Sequence, residues 1–145
     1  IRDRSNTTGP YSRFQLKQYI EQTQNDLFAD RQLRLMIENG NRQVVGIVDL
    51  CSFDPLHNRA EVGIMVDKSC RRQGIGRNAL ALLEEHCFRY LGIHQLFAYI
   101  AVENLPSRRL FAACGYKESA VLKEWAHTFG GGYTDVLVVQ KLNLS

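Results

Sequence analysis

The stretch SCRRQGIGRNALALLEEHC, Ser69 to Cys87, constrains the fold more than any other part of the chain. An apolar run, AEVGIMV from Ala60 to Val66, precedes it. A Gly-Ile-Gly turn with two arginines in front follows. From Gly76 onward, Ala79, Leu80, Leu83, Cys87 and Leu91 recur at helical spacing, with Glu84 and Glu85 partly outside that face. Strand, turn and helix therefore succeed one another without a break, and the unit needs a sheet for its strand and a core for its helix face. The turn has the chemistry of an anion site. Unpaired amides and the helix dipole favour negative charge, glycine lets the backbone approach, and Arg71 and Arg72 add charge-assisted hydrogen bonds. By itself, Arg71-x-x-Gly74-x-Gly76 fits equally a plain strand-to-helix connection with a solvated basic face.

The remaining pattern surrounds that unit with a mixed α/β sheet. YSRFQLKQYIEQTQ, with Phe14, Leu16, Tyr19 and Ile20, predicts a helix over Phe14 to Gln24. QLRLMIENGNRQVVGIVDL predicts strand, turn, strand, with Asn39-Gly40 accepting positive φ in the hairpin. CSFDPLHNR is expected to be a loop broken at Asp54-Pro55. Gly92 stops the long helix, and the largely apolar QLFAYIAV predicts a central strand buried on both faces. NLPSRRLFAACGY predicts a short helix with Pro106 in its first turn and Gly115 just past its end. AVLKEWAH and YTDVLVVQKL predict two last strands around TFGGG. The order is helix, three strands, helix, strand, helix, two strands, with no defensible internal boundary.

Composition narrows the function classes. The 145 residues suffice for one domain with a proper core and are too few for two ordinary ones. A net charge of +3 without a dense basic stripe argues against a nucleic-acid partner. The apolar runs are too short to span a membrane. Cys51, Cys70, Cys87 and Cys114 form no CxxC pair, so no metal site is expected, and reduced thiols in the cytoplasm are the natural reading. The chain also has neither a Gly-x-x-x-x-Gly-Lys-Ser/Thr loop nor the dinucleotide-binding glycine fingerprint.

Two segments, RAEVGIMVDKSCRRQGIGRNALALLEEHCF and LFAYIAVENLPSRRLFAACGYKE, resemble the GCN5-related N-acetyltransferase (GNAT) family, nearest its ribosomal-protein-type and spermidine-type branch. The resemblance runs from about Phe28 to the C-terminus. Arg71, Gly74 and Gly76 fill the family's pyrophosphate-loop pattern of Gln/Arg-x-x-Gly-x-Gly/Ala. Asn104 and Ser107 stand in its Asn-x-x-Ser-x-x-Leu motif. The resemblance implies a single-domain α/β (α+β) GNAT fold over 1–145, with a mixed central sheet splayed at an acetyl-CoA cleft and flanked by helices. It also implies that the family's first strand–helix unit is missing from this chain. The cleft would open where the strand ending at Val66 leaves the strand beginning near Leu96. Backbone groups of Met65 and Val66 would hold the pantetheine arm. Amides of Arg72, Gln73, Gly74, Ile75, Gly76 and Arg77, with Arg71, would hold the pyrophosphate.

The implied reaction is acetyl transfer from acetyl-CoA to a primary amine in a ternary complex. A lysine-like amine, with pKa about 10.4, is neutral in only roughly one molecule in 2,500 at pH 7, so a base is needed. A thiol of pKa about 8.5 leaves with little help from an acid. Glu61 is the candidate base; its other reading is a strand-surface carboxylate paired with Arg59. Asp49 and His57 are candidate acceptor-binding residues, each equally readable as a solvated strand-end or loop residue. Phe111 stands where many relatives carry a tyrosine acid. Tyr116 is the neighbouring candidate acid and otherwise a core aromatic, with Cys114 weaker still. Trp125, His127 and Tyr133 either line the acceptor site or pack.

Acceptors consistent with this reading are polyamines such as spermidine and protein N-termini, with aminoglycosides, amino sugars and amino acids left open. The expected partner is thus a small-molecule or peptide amine, without nucleic acid or membrane, and an edge strand leaves room for a homodimer. The alternative is a non-catalytic module that senses acyl-CoA, which Phe111 favours.

Overall fold

The computed structural model describes residues 15–18, 27–70 and 74–144. Within them, β1 (Gln15–Gln18), α1 (Leu27–Asp30), β2 (Leu33–Glu38), β3 (Val44–Asp54), β4 (Arg59–Val66), α2 (Ile75–Glu84), β5 (Gln95–Ala101), α3 (Leu105–Ala113), β6 (Lys117–His127) and β7 (Tyr133–Leu142) follow in order. The seven strands make one mixed sheet, ordered β1-β2-β3-β4-β5-β7-β6. Every neighbouring pair is antiparallel except β4 and β5, which α2 joins as a parallel crossover.

Alternation along the strands places the core on one face. Leu35 and Ile37 of β2, Val48 and Leu50 of β3, Ala60 and Val62 of β4, and Leu96, Ala98 and Ile100 of β5 are all buried there. Against them pack Ala79, Leu80 and Leu83 of α2 and Cys87 beyond it, the face that the helical spacing predicts. Each such leucine or isoleucine contributes about 1.5–3 kcal/mol over its exposed state. The opposite, open face carries Arg34, Met36, Asp49, Cys51, Glu61, Gly63, Phe97 and Tyr99, none of them buried.

Several expectations need correction. The helix expected over Phe14 to Gln24 begins instead as β1, which pairs with β2 from Gln15↔Glu38 to Gln18↔Leu35; the rest of that stretch lies outside the described residues. Cross-strand pairing and burial of Leu16 outweigh a modest helical pattern. The β2–β3 hairpin forms, but Asn39 shapes it by accepting the amides of Asn41 and Gln43 on its side chain, and the positive φ falls on Arg42 (62°) rather than Gly40. The expected loop at Cys51 is strand as far as Asp54, with a bulge where Ser52 has φ 51°. β5 is buried on one face only, since Tyr99 is exposed.

Glu84 is buried as well, against the expectation that it lies partly outside the helix face. Lys141 of β7 reaches it, donating to Glu84 Oε1 at 2.5 Å and to the Cys114 carbonyl at 2.6 Å. A π-helical turn, Glu85–Tyr90, prolongs α2 before Gly92 (φ 66°) ends it. Gly115, at φ 91°, follows the end of α3 as the sequence predicts.

Candidate active site

Parallel pairing between β4 and β5 lasts only from Arg59↔Gln95 through Ala60↔Leu96 to Glu61↔Phe97. Beyond Glu61 the strands part, whereas β4 stays paired with β3 up to Val66↔Gly46. Gly46 is what lets the chains lie so close there: a Cβ on it would stand 2.6 Å from the Met65 carbonyl oxygen. Asp67 N–H donates to the Val45 carbonyl at 2.8 Å. The antiparallel alternation then turns the backbone groups of Ile64 and Val66 toward the side that β5 has left.

A cleft of about 630 Å³ fills the gap. Ile64, Met65 and Val66 form one wall. The second is Cys70 and the start of α2 from Gly74 to Arg77, and the third is Asn104, Pro106, Ser107 and Leu110 of α3. Gly74 caps α2 in the left-handed conformation (φ 76°), and its α-carbon faces open space. Behind it lie the first-turn amides of α2, donors without an acceptor inside the helix. Gly76 has a different role: a Cβ there would meet Leu110 Cδ2 at 3.1 Å, so its absence lets α2 and α3 pack closely at the cleft. Asn104 caps α3, its Oδ1 accepting the Ser107 amide at 3.2 Å. An amide-rich helix start, a roomy channel and polar groups on a second helix start suit a long ligand with an anionic middle, and so fit the phosphates and arm of coenzyme A.

Met65, Val66, Gly74, Ile75, Gly76, Arg77, Asn104 and Ser107, all named from the sequence, therefore line one cleft. Arg71, Arg72 and Gln73 lie outside the described residues. Ile64, Cys70, Pro106 and Leu110 escaped sequence reasoning. Pro106 and Leu110 sit inside the Asn-x-x-Ser-x-x-Leu motif, which was the signal available for them.

Glu61 stands on the open face at the last paired position before the strands part. Arg59 does not pair with it; that guanidinium lies 3.6 Å from Asp54. The Ser52 hydroxyl donates to Glu61 Oε1 at 3.3 Å, and Cys51 is its cross-strand neighbour. Burial raises the Cys51 thiol pKa, and the Glu61 carboxylate raises it further. Asp49 is engaged by Arg34 in a bidentate pair, 2.8 Å from Nε to Oδ1 and 3.0 Å from Nη2 to Oδ2. His57 is exposed in the β3–β4 turn, its amide bound to Asp54 Oδ1.

Tyr116 is enclosed in the core and absent from the cleft wall, its ring edge-on to Phe111 at 4.9 Å. Burial first, then the Glu84 carboxylate, push its phenol pKa well above the ordinary value. Its hydroxyl is enclosed in the core beside Glu84. Cys114 is half-buried, with its thiol pushed up mainly by burial. Trp125 and Tyr133 are exposed on the β6–β7 hairpin, where His127 stacks edge-on against Tyr133 at 5.2 Å.

A mixed sheet split between two parallel strands, with a glycine-capped helix start at the mouth of the split, defines the acetyltransferase class of fold. The profile described as acetyltransferase (GNAT) domain matches residues 2–117, and the chain belongs to the GNAT family of acetyltransferases. It is 27% identical over 128 residues to the spermidine N(1)-acetyltransferase of Vibrio cholerae, covering 88% of this chain and 72% of that protein. It is 35% identical over 96 residues to an N-acetyltransferase 9-like protein of Nematostella vectensis, covering 60% of this chain and 48% of that one. Among solved structures, spermidine N-acetyltransferase SpeG from Vibrio cholerae in a dodecameric, intermediate state superposes with a TM-score of 0.75 at 25% identity, over 81% of this chain and 68% of that chain. A chimera of that enzyme gives 0.76 at 25% identity, over 81% and 70%.

Proposed function

We propose that this chain transfers the acetyl group of acetyl-CoA to a primary amine by direct attack in a ternary complex, with a polyamine such as spermidine as acceptor. The observation that carries the reading is the position of Glu61, the last residue of β4 still paired to β5, where the two strands begin to part. The amine arrives as its ammonium, and Glu61 takes its proton through water. The neutral nitrogen attacks the thioester carbonyl; a C–N bond forms, the C–S bond breaks, coenzyme A leaves as thiolate, and the second proton of the nitrogen passes to water as the amide forms. The Val66 backbone, turned with that of Ile64 to the side that β5 has left, holds the pantetheine arm and polarises the carbonyl, while Met65 contributes to the wall. The amides of Gly74, Ile75, Gly76 and Arg77, together with Arg71, Arg72 and Gln73, hold the pyrophosphate, with Asn104 and Ser107 alongside the arm. No side-chain acid is required, because the departing thiol is stable enough as its anion. The likeness to spermidine N-acetyltransferases supports a polyamine acceptor over a protein N-terminus.

The test is thiol release from acetyl-CoA across a panel of spermidine, spermine, Ala- and Ser-starting peptides, an aminoglycoside and free amino acids. Turnover with spermidine is the expected result. Tight coenzyme A binding without turnover of any amine would leave the acyl-CoA sensor reading, which the absence of any tyrosine from the described cleft wall favours. For assembly, we propose an oligomer through the β6–β7 side, where Val121, Trp125, Phe129 and Tyr133 are exposed; light scattering would reveal a monomer if this is wrong. Four free thiols suit a cytoplasmic setting.

A further inference from the structure

The β3–β4 register slips once, and the slip falls beside Glu61. Cys51 stands opposite Glu61 and Asp54 opposite Arg59, so Ser52 and Phe53 together face the single residue Ala60. A bulge of this kind releases two neighbouring side chains from the strict alternation of a strand. Phe53 takes the core side, buried edge-on against Phe28 at 5.2 Å, and its amide donates to the Arg31 carbonyl. Ser52 is exposed, and its hydroxyl donates to Glu61 Oε1 at 3.3 Å.

Core packing accounts for Phe53 but not for the residue before it. Ser52 holds φ 51°, in the left-handed region that glycine and asparagine occupy more easily than serine. The surroundings of Glu61 give a serine there a use. Arg59, the cation on the same face of β4, is engaged by Asp54 at 3.6 Å. The Cys51 thiol shares the Glu61 carboxylate, which raises the thiol pKa through charge and hydrogen bonding. A hydroxyl and a thiol, both uncharged, thus hold Glu61. A guanidinium would orient a base and weaken it at once, because an opposite charge favours the ionised form. A neutral donor orients with less of that cost.

We infer that Ser52 is a positioning residue for the general base: the bulge turns its hydroxyl onto Glu61 and fixes the carboxylate where β4 and β5 begin to part. The inference rests on the proposed acetyl-transfer reading, in which Glu61 is that base. A free glutamate side chain spreads over many rotamers, and a base out of place takes its proton slowly. The competing explanation is that the bulge exists for Phe53 alone.

Three variants separate the two. Ser52→Gly removes the hydroxyl and suits the backbone, Ser52→Asn keeps a donor on a residue that tolerates positive φ, and Glu61→Gln removes the base. Acetylation of spermidine gives kcat and the KM for acetyl-CoA, and urea unfolding gives the midpoint. Ser52→Gly should unfold at or above the wild-type midpoint, because glycine is at ease at φ 51°. It should nevertheless lose about tenfold in kcat, the size of a lost hydrogen bond to a charged group, with KM for acetyl-CoA within about twofold. Ser52→Asn should recover kcat to within about threefold of wild type. In the Glu61→Gln chain, Ser52→Gly should cost less than about twofold more, since both act through one group. Wild-type kcat in Ser52→Gly, with Glu61→Gln still impaired, would leave the bulge to Phe53 and overturn the inference while the enzymatic reading stands. A full tenfold loss from Ser52→Gly in the Glu61→Gln chain would show that Ser52 acts elsewhere, and would overturn it equally. If Glu61→Gln has wild-type kcat, or wild type turns over no amine while still binding coenzyme A, the enzymatic reading itself falls and the role of Ser52 falls with it.

Discussion

Lys141 Nζ donates to Glu84 Oε1 at 2.5 Å and to the carbonyl of Cys114, so one ammonium on β7 joins the C-terminal ends of α2 and α3. The N-terminal ends of these helices flank the cleft, where Gly76 lies against Leu110. The two helices are thus held at both ends, by an ion pair behind the sheet's core and by close packing at the ligand.

The buried end should be visible in stability. Burial holds the Glu84 carboxyl above its ordinary value, with Lys141 and Tyr116 working in the opposite direction. A carboxyl raised on folding binds its proton more tightly in the native state. Its contribution is fully present below the unfolded value of about 4.3 and is lost as pH rises through the folded value. Urea unfolding from about pH 4 to about pH 8 should show wild-type stability falling relative to Glu84→Gln as pH rises. A pH-independent difference would refute the burial argument. Lys141→Met, which leaves the carboxylate without its cation, should destabilise by about 3–5 kcal/mol at neutral pH.

Glu61→Gln should lower the rate of amine acetylation by about 10²–10³ at pH 7, the range of general-base contributions. The deficit should shrink at high pH, where free amine no longer needs a base, and coenzyme A affinity should hold because Glu61 is not among the cleft-lining residues. A pH–rate profile parallel to wild type would remove Glu61 from the chemistry.

Tyr116→Phe should leave the rate at pH 7 within about threefold, a far smaller loss than the about 10²–10⁴ of a general acid. Its hydroxyl is enclosed beside Glu84, and its phenol pKa is shifted upward, away from useful acidity. The effect should appear instead as a change in unfolding free energy. A hundredfold loss of rate at unchanged stability would return Tyr116 to the mechanism.

Gly76→Val should weaken coenzyme A binding by about tenfold or more, because its side chain drives into Leu110 and spreads the two helix starts. Leu110→Ala in the same chain should recover part of that loss, giving a coupling of at least about 0.5 kcal/mol. Gly74→Ala, with open space around it, should show only the left-handed penalty of about 1–2 kcal/mol in stability. Titration calorimetry and urea unfolding separate the cases.

Local signals carried much of this protein in the sequence. The strand–turn–helix order at Ala60 to Leu91, the short helix between Pro106 and Gly115, the last two strands and most of the cleft wall were legible because each depends on periodicity, capping or glycine conformation within a few positions. What the chain decides at long range was not. β1 is a strand because Leu16 finds a place in the core beside β2. Glu84 is buried because Lys141, 57 residues away, neutralises it. Arg59 turns to Asp54 and leaves Glu61 to Ser52, while Asp49 is taken by Arg34. Tyr116 withdraws into the core, and the cleft exists only because β4 and β5 part after Glu61 and Phe97. A sequence states which groups a chain owns and how each segment prefers to bend. Which carboxylate stays available, and where the sheet parts, depends on pairings that only the folded sheet creates.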